Sequence, residues 1–98
     1  MGRVAEEIDR RLRAALSPDR LEIVDDSSKH AGHAGHRGDD AESHFTVRLT
    51  SATFTGQNRV ARQRAVYAAL GDLMGGAIHA LALRTLTPEE RADAAPGL

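Results

Sequence analysis

The 98-residue chain has no cysteine and no tryptophan, and its aromatic residues are two phenylalanines and one tyrosine. Without cysteine there is no disulfide framework, no thiolate nucleophile and no all-cysteine metal site. So few rings leave little for nucleic-acid bases to stack on. Charge of one sign is lacking too. Thirteen Lys and Arg against fourteen Asp and Glu give a formal net charge of −1, without the basic excess of a dedicated nucleic-acid binder. No apolar run approaches the roughly 20 residues that a membrane span requires. Met1-Gly2-Arg3-Val4-Ala5-Glu6-Glu7 turns acidic at once, unlike a signal or transit peptide, so a cytoplasmic protein with no membrane attachment is expected. The length suits one domain with one modest core. Its expected core covers about residues 3–90, with 91–98 as a flexible tail. What is abundant is histidine: five residues, four of them between His30 and His44.

Val4, Ile8, Leu12 and Leu16 recur every four positions. At about 100° per residue they share one face of a helix, and the charged residues around them take the rest. Ser17-Pro18 ends that helix, because the residue before proline is pushed out of the helical region. Leu21 to Val24 is short and β-branched and reads as a strand. Asp25 to Ser43 has nothing apolar larger than alanine and is punctuated by Gly32, Gly35 and Gly38. It is expected to be a long exposed loop of the kind that carries function or is disordered. His44 to Thr50 alternates cleanly, with Phe45, Val47 and Leu49 on one side, and reads as a half-buried strand. Phe54-Thr55-Gly56 makes a turn and Asn58 caps a second helix that runs to about Met74, where Gly75-Gly76 stops it. Ala77 to Leu86 reads as a third strand, its alanines packed closely against a helix. Thr87-Pro88-Glu89-Glu90 opens a last helical turn before the tail.

The order α-β-β-α-β specifies an α+β domain. The strand–helix–strand segment from 44 to 86 calls for a right-handed crossover with parallel strands. The sheet is then three-stranded and mixed, covered on one face by two helices. This topology gathers the histidines. The loop with His30, His33 and His36 caps the end of the sheet where the second strand begins, and the third strand starts at that same end. His79, more than 40 positions from His36, is thereby directed to the same pole, as is His44.

Imidazole is a borderline ligand suited to zinc, copper, nickel and iron. His30-x-x-His33-x-x-His36 is therefore a candidate metal loop; a solvated Gly/His/Asp connector is the plainer reading. His79 is a candidate ligand or a satisfied strand histidine. No catalytic residue is assigned, since no serine sits on a strained strand-to-helix elbow. Arg59, Arg62 and Arg64 crowd the start of the second helix, at the opposite pole. Arg64 lies about 160° around the helix from Val66, on whose side Arg59 and Arg62 fall, so the three ring the helix end more than they form a stripe. They are candidates for phosphate contact, or arginines whose stems cover the core edge.

Asp25-Asp26-Ser27-x-x-His30-Ala31-Gly32-His33 and Glu42-Ser43-His44-Phe45-Thr46-Val47 resemble the BolA family. So do Phe54-x-Gly56, Arg62-x-Arg64-x-Val66-Tyr67-x-x-Leu70, and Ile78-His79-Ala80-Leu81-Ala82 followed by Thr87-Pro88-Glu89. The resemblance covers about Arg3 to Glu90, in order. It implies a fold related to class II KH domains and a protein that is not an enzyme. Members pair with monothiol glutaredoxins in iron–sulfur cluster handling and iron homeostasis. In the mixed complex a 2Fe–2S cluster is held by glutaredoxin cysteine, glutathione and the BolA partner. The resemblance places one ligand at His79 and another in the loop, at His30 or His33, with His36 a looser choice. Some bacterial members are described as transcriptional regulators that bind DNA through the second helix. The family's Arg-His-Arg is here Arg62-Gln63-Arg64, and the GxxG clamp of KH domains is absent after Gly56. A zinc- or copper-carrying histidine loop is the further alternative.

Overall fold

The computed structural model describes residues 2–26 and 44–94. Its elements run α1 (Arg3–Leu16), β1 (Arg20–Asp25), β2 (His44–Thr50), α2 (Arg59–Leu70), β3 (Ala80–Leu86) and α3 (Pro88–Ala94). Short 3-10 turns occupy Ala52–Phe54 and Gly71–Leu73. The order β1-β2-β3 forms one sheet among the described residues, with β1 antiparallel and β3 parallel to β2. The expected α+β architecture with a mixed three-stranded sheet is what forms.

The core arises from two periodicities. Ile8, Leu12 and Leu16 of α1 are buried, joined by Ala5, while Val4 packs at the margin. Every second residue of β2, namely Phe45, Val47 and Leu49, meets them from the sheet, and Val66 and Leu70 of α2 complete the same cluster. Each large side chain buried this way contributes about 1.5–3 kcal/mol over its exposed state. Both helices thus cover one face and leave Arg20, Glu22, Thr46, Arg48, Ala82 and Arg84 on the other.

Two polar side chains tie the edges of this layer together. Ser51, fully buried, donates from Oγ to the Leu16 carbonyl at 2.6 Å, so it caps the C-terminus of α1. Arg11 reaches across to α2, donating to the Leu70 carbonyl at 2.7 Å and to Asp72 at 2.8 Å. A cation at the end of α2 also complements that helix's dipole.

Four expectations need correction. First, α2 ends at Leu70 rather than near Met74, because Gly71 adopts a positive φ of 54° and closes the helix on the Tyr67 carbonyl. Second, β3 begins at Ala80 rather than Ala77. Ile78 is drawn into the core at 1% exposure, and its N–H bonds back to Leu73 at 2.9 Å, so residues 77–79 cannot join the ladder. Third, Ala80 and Ala82 face outward instead of against a helix. Leu81 and Leu83 pair in register with Phe45 and Val47, so the larger side chains take the helix side. Fourth, the expected tail starts too early, since α3 continues to Ala94. Thr87 and Glu90 make the reciprocal bonds of a capping box that starts this helix: Thr87 N–H to Glu90 at 2.9 Å, and Glu90 N–H to Thr87 Oγ1 at 3.1 Å.

Candidate functional site

His44 opens β2, and its Cα is in register with Ala80, the first residue of β3. His79 immediately precedes that residue. The two imidazoles consequently meet at one end of the sheet, with ring centroids 6.3 Å apart and planes inclined by 60°. His79 is exposed and His44 half-buried. What positions His79 is backbone. Gly75 turns the chain at a φ of 81°, its N–H bonds to the Ile78 carbonyl at 3.2 Å, and Ile78 anchors the turn from below. The imidazole is left projecting from a braced turn. Glycine is required at 75 because other residues rarely adopt that φ.

Asp26 and His44 bound the segment between β1 and β2, and Asp25 pairs with Phe45 at this same end. The chain therefore leaves and re-enters beside His79, as the topology anticipated. His30, His33 and His36 lie outside the described residues. Among the described residues no group of three or more His, Cys, Asp or Glu is assembled for a metal. What the described residues bring together at this pole is a pair of imidazoles, His44 and His79.

The opposite pole is different. Arg62 forks onto Glu90 through two bonds, of 2.7 and 3.0 Å, and also donates to the Thr85 carbonyl at 3.2 Å and the Gln57 carbonyl at 2.8 Å. Its guanidinium lies 5.8 Å from the centre of the Phe54 ring, and its side chain is 12% exposed. Hydrogen bonding from Arg62, seconded by the Thr87 N–H, holds the Glu90 carboxyl at about 2. Arg62 therefore ties α2, β3 and α3 together, while Arg59 and Arg64 are exposed. Asn58 caps the helix as expected, accepting from the Ala61 N–H at 2.9 Å. Sequence reasoning missed Glu90 as the partner of Arg62. The signal was present in Thr87-x-x-Glu90, which reads as a capping box before a helix.

A family model described as BolA-like protein matches residues 12–90. The chain is 42% identical over 87 residues to a protein from Escherichia coli strain K12 named DNA-binding transcriptional regulator BolA, covering 89% of this chain and 78% of that one. It is also 42% identical over 86 residues to SufE-like protein 1 of Arabidopsis thaliana, covering 85% of this chain but 23% of that longer protein. The solved BolA domain of SufE1 from the same plant superposes with a TM-score of 0.79 at 37% identity, covering 92% of this chain and 98% of the domain. Among the described residues no helix is long and apolar enough to cross a membrane.

Proposed function

The chain belongs to the BolA-like protein family, and from that premise we propose that it is a non-enzymatic adaptor. In this reading it pairs with a monothiol glutaredoxin and lends histidine nitrogen to a 2Fe–2S cluster shared with that partner and its glutathione. The observation that carries the reading is the His44–His79 pair, two imidazoles 6.3 Å apart at the end of the sheet where the histidine-rich segment begins and ends. The donor set fits a shared group. The chain has no cysteine to complete a thiolate shell of its own, and the described residues assemble no group of three or more His, Cys, Asp or Glu for a metal. His79 would hold the cluster from the braced turn, His30 or His33 would supply the second nitrogen, His36 being the looser choice, and the sulfur would come from the partner. Nitrogen ligation raises the reduction potential of such a cluster above that of an all-thiolate one.

Mixing the protein with a cluster-loaded, glutathione-bound monothiol glutaredoxin should change the visible absorption and circular dichroism of the cluster. His79→Ala should abolish that change. An unaltered change in the variant would remove His79 from the ligand set.

A second reading, DNA binding, has in its favour the name of the Escherichia coli relative. Here it would rest on Arg59 and Arg64, since Arg62 is spent on Glu90. It predicts affinity for duplex DNA that falls steeply with salt and is lost on replacing both arginines. The zinc- or copper-carrier reading predicts metal uptake by this protein alone, so titration without glutaredoxin separates it from the first.

A further inference from the structure

The uncovered face of the sheet carries a feature that neither the histidine pole nor the α2 arginines use. Arg20, Arg48, Arg84 and Arg91 line an open trough of about 610 Å³, and Leu86 forms part of its floor. Among the described residues, Glu22 is the single carboxylate lining it. It bonds Arg48 at 3.0 Å, which leaves a local excess of three positive charges on a chain whose formal net charge is −1. Register explains how the arginines meet. Arg48 faces Glu22 on one side and Arg84 directly on the other, while Arg20 and Leu86 share the neighbouring row through Thr50. Arg91 arrives from α3, whose place at the sheet edge is set by the Arg62–Glu90 fork.

We propose that this trough binds a compact anion carrying several phosphate groups. Two arginines directly opposed on adjacent strands repel each other, a cost to folding that an anion bridging them removes. Guanidinium forks match phosphate oxygens in bidentate geometry. The volume lies within the roughly 300–1,000 Å³ of small-molecule sites. Among the described residues no aromatic ring lines the trough, so bases of a single strand would find nothing to stack on. A membrane surface fits poorly as well: the exposed large apolar side chains, Val60 and Tyr67, are on α2, which covers the other face.

Inorganic triphosphate is the probe. Calorimetric titration at low ionic strength should give saturable binding that weakens as salt is added. Two-dimensional NMR should move the amides of Arg20, Arg48, Arg84 and Arg91 and leave His79 unchanged. Arg84→Glu places a carboxylate opposite Arg48, where it supports the sheet, and should weaken binding by about tenfold or more, equivalent to about 1.4 kcal/mol. Glu22→Gln removes the competing carboxylate and should tighten binding. The proposal is overturned if triphosphate does not saturate, if both variants bind like the wild type, or if a single-stranded oligonucleotide or an acidic peptide binds the same amides more tightly than triphosphate. These readouts need no glutaredoxin, so their failure is separable from that of the cluster reading.

Discussion

The two ends of the parallel β2–β3 pair carry the side chains with the most chemistry, and they use them in opposite ways. At the finishing end, Arg62 spends its guanidinium on Glu90, Thr85 and Gln57 and lies against Phe54. At the starting end, His79 is placed by a backbone turn and by the buried Ile78, while its imidazole stays exposed. The first cluster has consumed its bonding capacity in holding three elements together; at the second, the His79 side chain stays at the surface. Proximity of functional residue types is common to both ends. What distinguishes a binding site from a structural clamp is whether the donors are already engaged.

Stability measurements sharpen the contrast most at the clamp. Arg62→Ala removes bonds to a carboxylate and two carbonyls from a side chain that is 12% exposed. It should cost about 1–3 kcal/mol in urea unfolding. Arg62→Lys should recover only part of this, because an ammonium cannot reproduce the fork. A loss indistinguishable from that of the exposed Arg64→Ala would mean the clamp is not structural.

Acid is the milder way to open the same contact. Glu90 is held at about 2, below the ordinary glutamate value of 4.5, first by Arg62 and then by the Thr87 N–H. A depressed carboxyl stabilises the folded state fully above its unfolded value, and this stabilisation is lost as pH falls through the folded one. The melting-temperature gap between wild type and Glu90→Gln should therefore narrow as pH falls from 4.5 towards 2. Glu7, also held at about 2 by Arg10 and Arg11, is present in both proteins and cancels. A gap that stays constant across this window would show that the charge of Glu90 contributes nothing to the clamp.

Much of this is legible in the sequence alone, and particular residues show why. The four-residue spacing in α1 and the alternation from His44 to Thr50 are local signals, and both elements have the bounds that those signals predict. The parallel pairing of β2 and β3 comes from chain connectivity, and with it the approach of His79 to His44. The start of β3 is not legible. Ala77 to His79 extend the strand-like pattern of Ala80 to Leu86 without a break, and only the burial of Ile78 and its bond to Leu73 withdraw them from the ladder. The occupation of Arg62 is hidden for a similar reason, since its partner lies 28 positions away. The charged trough depends on register across three strands, so no single segment announces it.

The smallest expected effect is the most informative about the starting end. His79 is exposed, and the turn beneath it is held by main-chain bonds and by Ile78. Replacing its imidazole with a methyl group leaves these intact. His79→Ala should accordingly change unfolding free energy by no more than about 0.5 kcal/mol, as expected for a surface substitution away from caps and networks. Paired with a lost cluster spectrum on mixing with glutaredoxin, that result would separate ligand from scaffold at this pole. A destabilisation as large as that of Arg62→Ala would instead place His79 in the same class as the clamp, and the contrast between the two ends would collapse.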